Sequence, residues 1–409
     1  MRAGIEDISV YAGRAFLDVA RLAQARGLEL ARMQNLLMKQ KSVALHFEDA
    51  VSFAVNAAKP VVDRLGAAAK ARIELLIVAT ESGLDFGKPM STYIHHHLGL
   101  GRHCRTFELK HACYAGTAAL QMAAAFVHSG CSPGARALVI ATDTARPIPH
   151  TYAEPSQGAG AIAMLVGDNP IVLELEKGAS GCYGYEVMDS CRPSPEIETG
   201  DADLSLLSYL DCIENSYLDY CRRAGGTDIA SYFDYLAFHA PFGGMAKGAH
   251  RSLMRKLKRM PPPAIEEDFH QRLEPSLAYC QRVGNIYSGT VFLALCGVLE
   301  SGSFGTQKRI GLFSYGSGCC SEFYSGLADA ASQRRVASRG IAEHLESRRE
   351  LDMHEYERLI ELARGIPFGI RNAEVDRSAF GDIERSHFTG AGLLTFRGIV
   401  DYRRQYVWS

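Results

Sequence analysis

The chain has 409 residues, 47% hydrophobic and 22% charged, with a formal net charge of −2. That profile fits an ordinary globular protein of one large unit or two to three fused domains, and it excludes a globally basic nucleic-acid binder. The opening MRAGIEDISVYAGRAF lacks a charged segment followed by an apolar one, and apolar stretches such as ALQMAAAFV fall short of the roughly 20 residues that span a bilayer. A cytoplasmic protein is expected. Its 11 cysteines, an odd number, point to reduced thiols, and no Cys/His group has zinc-site spacing.

Short β-branched runs alternate with Ala-rich stretches, the pattern of an α/β protein with buried strands. In chain order, the pattern predicts a helix at about 50–66, a strand at Leu75–Ala79, a helix at 113–128, and strands at Ala137–Ala141 and Ala161–Val166. A helix at 205–223, a strand at Tyr235–Phe238, helices at 246–259 and 289–300, and a strand at Ile310–Ser314 follow. His95, His96 and His97 read as a polar turn. The prolines of MPPPAIEED (260–268) read as a loop. From 331 onward the chain turns Arg- and Glu-rich and reads as a helical extension, ending in the aromatic tail YRRQYVWS and packed on the second half.

A faint repeat runs through this order. Cys113 opens a helix that reaches Ser129-Gly130 before a strand, and Asn285 opens one that reaches Ser301-Gly302 before a strand. Upstream of each lies a strand with a polar tip, Glu81 in the first copy and His239 in the second. Two copies imply a duplicated fold with these tips meeting at the join. Cys113, at a helix start, has the setting of a nucleophilic thiolate; a small buried cysteine is the alternative. His239 and Glu81 are each readable as structural strand-end residues, and the repeat is what groups them with Cys113.

The segments ATESG, ACYAGTAALQMA, ATDTAR, EPSQGAGAIAMLVG, FHAPF, VGNIYSG and SYGSGCCSEFYSG, in this order, resemble the 3-hydroxy-3-methylglutaryl-CoA synthases. The likeness runs from the N-terminus to about residue 328. MSTYIHHHLGL, FELKHACY, YGYEVMDSCRP, GDADLSLLSYLDC, FHAPFGGMAKGAHR and the RRQYVW tail look closer to the branch that installs β-branches on polyketides held by acyl carrier proteins. The resemblance implies a thiolase fold, a duplicated αβαβα five-layered architecture. Residues 1–170 and 171–330 would be its halves and 331–409 the helical extension. It implies a homodimer with no bound cofactor, and the residue spacing and apolar run lengths above already point to no metal and no membrane contact. Its partners would be a donor acyl carrier protein and an acceptor carrier protein of a polyketide synthase.

By the same resemblance, Glu81, Cys113 and His239 are catalytic. Cys113 takes an acetyl group, Glu81 makes its carbanion, and His239 hydrogen-bonds the acceptor ketone. The N–H groups of Cys113 and Ser317 would form an oxyanion hole, Asn285 would seat the acceptor thioester, and Asp143 and Asp189 match acidic positions of the family. Lys247, Arg251, Arg255 and Lys258 share one helix face and, with Arg32, are candidates to meet the phosphopantetheine arm and its acidic carrier. Pro147 stands where many CoA-using relatives have tyrosine, and the connection after Arg146 is short. The rivals are an initiating ketosynthase using Cys, His and Asn, which Glu81 argues against, and the mevalonate-route synthase, which GGMAKGAHR and Pro147 argue against. A third is a non-catalytic carrier-arm binder, against which the three retained catalytic residues stand.

Overall fold

The computed structural model describes residues 2–144, 148–151, 153–195 and 197–409, with the backbone alone at 30–32. Nine strands form one sheet: β1 (Gly4–Tyr11), β2 (Ile73–Ala79), β3 (Arg105–Leu109), β4 (Arg136–Thr144), β5 (Ala159–Gly167), β6 (Leu173–Gly184), β7 (Tyr235–Phe238), β8 (Lys308–Gly316) and β9 (Cys320–Ala328). Their spatial order is β7-β8-β9-β6-β1-β5-β4-β2-β3. The duplication is visible in this order. β6-β9-β8-β7 repeats β1-β5-β4-β2 outward from the centre, antiparallel at each step until the last pair, which is parallel in both copies. The halves join where β1 meets β6 at Gly4↔Glu174 and Ile5↔Leu173. Among the described residues β3 has no counterpart in the second half.

Alternation of side chains along the strands sorts the core into layers. Leu75, Ile77, Ile310 and Leu312 face a central core shared by α2 (Ala115–Ser129) and α5 (Thr290–Ser301). On the other face of the first half, Leu76, Val78, Leu138 and Ile140 pack against α1 (Ala50–Asp63). In the second half, Leu236, Phe238, Phe313 and Tyr315 pack against α3 (Ala202–Arg223) and α4 (Gly243–Lys258). The result is α-β-α-β-α. Strands buried on both faces must be apolar throughout, which is why they read as runs rather than alternations. Gly116, near the start of α2, makes the central layer possible: a Cβ there would stand 2.3 Å from the Ser288 carbonyl oxygen.

Three expectations need correction. The MPPPAIEED stretch forms a helix, Pro262–Asp268, because its prolines fall at the N-cap and first turn, where no N–H donor is needed. The three histidines lie in a helix, Ser91–His97, with His97 against Tyr406 and Trp408 of the tail. The extension is not purely helical, and most of it packs on the first half. Its tail is a hairpin of β10 (Leu394–Val400) and β11 (Arg403–Trp408). Phe396 N–H donates to the Phe47 carbonyl at 2.8 Å, and Arg404 and Tyr406 both bind Asp49, at 2.8 and 2.7 Å. Arg404 and Tyr406 stand two residues apart and so share a face of the strand, which gives the tail its register on α1.

Candidate active site

Glu81 leaves the end of β2 and His239 the end of β7, equivalent strands of the two copies, at the carboxyl ends where α/β sheets hold their ligands. Cys113 lies between β3 and α2, preceded by Ala112 at φ +41°, a left-handed conformation costly for a residue with a Cβ. Its Sγ is 3.7 Å from Glu81 Oε1. The sequence favoured a thiolate from a helix start, but the surroundings oppose it. α2 begins two residues later, and burial followed by the charges of Glu81 and Asp143 raises the thiol's pKa well above its ordinary value. At rest Cys113 is a thiol whose proton points at a carboxyl.

Burial, then the charge of Asp143, pushes the pKa of Glu81 up to about 8, with Arg192 opposing at 4.0 Å. Asp143 itself is 0% exposed and fully engaged. It accepts from Thr80 Oγ1, Ser82 Oγ and the Glu81 and Ser82 N–H groups on one oxygen, and from Ser288 Oγ on the other. Asp189 is likewise consumed, by Tyr315 OH at 2.6 Å and the Gly318 N–H at 2.9 Å. Both acids therefore stand behind the site and shape it. Asp143 fixes the turn carrying Glu81, and Asp189 fixes the Tyr315–Gly318 turn that carries Ser317.

His239 is 1% exposed, yet neither ring nitrogen has a hydrogen-bond partner among the described residues. Only its main chain is tied: N–H to the Phe313 carbonyl at 2.7 Å and carbonyl from Tyr209 OH at 2.6 Å. Burial lowers its pKa to about 3, so the ring is neutral, with one N–H to offer. Most buried polar side-chain atoms are hydrogen-bonded, so a ring with both nitrogens unpartnered stands out. Asn285 Oδ1 accepts from the Tyr287 N–H and Thr290 Oγ1, both at 2.9 Å, and its amide nitrogen donates to no acceptor among the described residues. Ser317 follows Gly316, where a Cβ would lie 2.6 Å from the His111 carbonyl and 2.7 Å from Tyr114, so the turn that carries it packs on the segment around Cys113.

Several groups here had no place in the sequence reading, although all but Glu198 lie in quoted segments. Arg192 Nη2 binds Glu198 at 2.9 Å and the Tyr287 hydroxyl at 3.2 Å; Gln157 holds Glu198 at 2.8 Å. Beneath Cys113, Tyr114 OH donates to buried Glu322 at 2.8 Å. An arginine after a cysteine has no periodicity to announce it.

The basic face of α4 divides in two. Lys247 pairs with Glu266 and Lys258 with Asp228, whereas Arg251 and Arg255 are exposed and have no ion-pair partner among the described residues. Beside them runs a groove of about 510 Å³ lined by Asn35, Leu37, Lys247, Arg251 and Phe269. The side chain of Arg32 and all of Pro147 lie outside the described residues. Also among the described residues, no group of three His, Cys, Asp or Glu side chains is placed to hold a metal, and no helix is long and apolar enough to cross a membrane.

Residues 1–170 match the family model of the hydroxymethylglutaryl-coenzyme A synthase N terminal region, and residues 250–368 that of its C terminal region. The polyketide biosynthesis 3-hydroxy-3-methylglutaryl-ACP synthase PksG of Bacillus subtilis is 52% identical over 416 residues, covering 99% of each chain. The chain belongs to the hydroxymethylglutaryl-CoA synthase family. A hydroxymethylglutaryl-CoA synthase of Enterococcus faecalis is 34% identical over 360 residues, covering 87% of this chain and 91% of its own. The curacin biosynthetic pathway HMG synthase, solved in complex with acetyl donor-ACP, matches with a TM-score of 0.98 at 53% identity over 100% of both chains. The α-β-α-β-α layering is thus the thiolase fold of these synthases.

Proposed function

We propose that this synthase condenses carrier-bound substrates: it takes acetyl from an acetyl-acyl carrier protein and adds it to the β-ketone of a polyketide acyl chain on a second carrier protein. The observation that carries the chemistry is the Cys113–Glu81 contact of 3.7 Å. In its deprotonated form Glu81 takes the thiol proton, Cys113 attacks the thioester, and the proton leaves with the departing phosphopantetheine thiol, which frees the carboxylate again. Glu81 next removes a proton from the acetyl methyl group, and the carbanion attacks the acceptor ketone. The neutral His239 ring donates a hydrogen bond to that oxygen as it gains charge. The Cys113 and Ser317 N–H groups do the same for the thioester oxygen, where one donor is worth about 3–4 kcal/mol of barrier. Water finally releases the β-branched product.

The carrier-protein reading is supported by 52% identity along the full chain to a synthase named for ACP substrates, against 34% to a CoA-named one. The two free arginines of α4 beside the groove support it as well. A homodimer belongs to this reading; β3, at the sheet edge, leaves one side for a second copy.

Intact-protein mass spectrometry tests the reading. Wild type and Glu81→Gln should each gain one acetyl group from acetyl-carrier protein, and Cys113→Ser none. Glu81→Gln should then fail to condense and fail to exchange methyl hydrogens with deuterated water. Acetylation of Cys113→Ser, or condensation by Glu81→Gln near the wild-type rate, would overturn the assignment.

A further inference from the structure

We infer that Arg192 and Glu198 act together as positioning residues that set the basicity of Glu81. A base that takes a proton from carbon must be strong, so a tight ion pair with arginine would work against it. The geometry withholds that pair. Arg192 reaches Glu81 only at 4.0 Å and spends its closer contacts on Glu198, at 2.9 Å, and on Tyr287 OH, at 3.2 Å. Glu198 is itself fixed by the Gln157 amide at 2.8 Å, and Gln157 pairs in register with Asn285. One cation is thus held near the base but largely neutralised, by a clamp anchored in the strand segment beside Asn285.

The groups that bear on Glu81 are Asp143 from β4, Cys113 ahead of α2, and Arg192 and Glu198 from the segment after β6. Asp143 and Glu198 raise its affinity for a proton; Arg192 and the Cys113 hydrogen bond lower it. Arg192 stays charged, because Tyr287, Glu81 and Glu198 outweigh the cost of its burial.

The inference rests on Glu81 as the base, and the test separates the two. Enzyme preloaded with acetyl-carrier protein is followed for methyl hydrogen exchange and single-turnover condensation across pH 5.5–9.5. Arg192→Gln should move the rising acid limb up by about one unit or more, as expected for a charge at this range. It should therefore lose roughly ten-fold at pH 7 and recover at high pH. Glu198→Gln keeps the shape and the hydrogen bonds; it should move the limb down and lower the plateau, because a weaker base remains. Arg192→Lys should restore the wild-type limb. Lowered plateaus with limbs unmoved in both neutral variants would mean a structural role only and overturn the inference, as would failure of Arg192→Lys to restore the limb. Exchange that persists in Glu81→Gln would instead remove the base assignment beneath it.

Discussion

The Cys113 thiol and the Glu81 carboxyl, 3.7 Å apart and both half-buried, share one proton-transfer path. Each negative charge makes the other harder to form, so the resting pair is thiol with carboxyl and not thiolate with acid. Alkylation of Cys113 by iodoacetamide should therefore be slow at pH 7 and climb only at a higher pH than for an ordinary cysteine thiol. Removing the acid's charge lowers the thiol's pKa, so in Glu81→Gln the alkylation curve should shift to lower pH by about one unit. Peptide-resolved mass spectrometry reads this site apart from the ten other cysteines. An unmoved curve would mean that the two groups do not interact.

His239 makes a separate prediction for pH. Its folded pKa of about 3 lies below the ordinary value of 6.5, so below pH 6.5 the unfolded chain takes a proton that the folded one refuses. The stability it allows at neutral pH is lost as pH falls from 6.5 towards 3, at up to about 1.4 kcal/mol per pH unit. His239→Gln should show a shallower fall of unfolding free energy between pH 7 and 4.5, measured by urea titration. His344, buried with its pKa also lowered to about 3, remains in the variant, so the slope should lessen without vanishing. An unchanged slope would mean that the His239 ring takes its proton in the folded protein.

Five of the nine sheet strands and the five long helices were legible, because burial on both faces leaves a chemical mark, a run of apolar residues between turns; β1, β3, β6 and β9 were not. The duplication was legible for the same reason. What escaped depended on contacts distant in sequence. Asp143 matched an acidic position of the family, and its place behind the site became visible only when Thr80, Ser82 and Ser288 arrived from other elements to occupy it. The Arg192–Glu198 clamp has no local period and exists only because the segment after β6 folds over the first half. The tail hairpin was hidden for a simpler reason: the helical charge pattern before it was carried on past its end.

The join between the halves is testable through a pair of glycines. A Cβ on Gly116 would come within 2.3 Å of the Ser288 carbonyl oxygen, and the backbone at that end of the central layer has no room to give. Gly116→Ala should cost at least about 1–3 kcal/mol of stability, the usual range for overpacking, and more if the two central helices must separate. Gly248, on α4, has open space where a Cβ would sit, with no atom within 4 Å, so Gly248→Ala should be neutral or stabilising by about 0.5–1 kcal/mol. In thermal melts Gly116→Ala should fall, and Gly248→Ala should stay level or rise. Equal effects would mean that the halves are not locked at Gly116.

Carrier docking is best tested on Arg251 and Arg255, because Lys247 and Lys258 already hold acidic partners and their loss would disturb α4 itself. An acidic carrier approaching this face meets two uncompensated guanidinium groups beside the groove. Reversing either charge, as in Arg251→Glu or Arg255→Glu, should reduce kcat/KM for carrier-bound acetyl while leaving stability near wild type. Each exposed contact is worth about 1 kcal/mol or less, so a single reversal should cost a few-fold and the double variant clearly more. The loss should shrink as salt rises, since exposed charges are screened beyond about 8–10 Å near physiological ionic strength. Transfer from acetyl-CoA, measured in parallel, should change far less, because CoA brings no protein surface to α4. Equal losses with both donors would place the arginines on the phosphopantetheine arm instead of the carrier's surface. No loss with either would leave this face as solvated charge, and carrier docking would have to lie elsewhere around the groove.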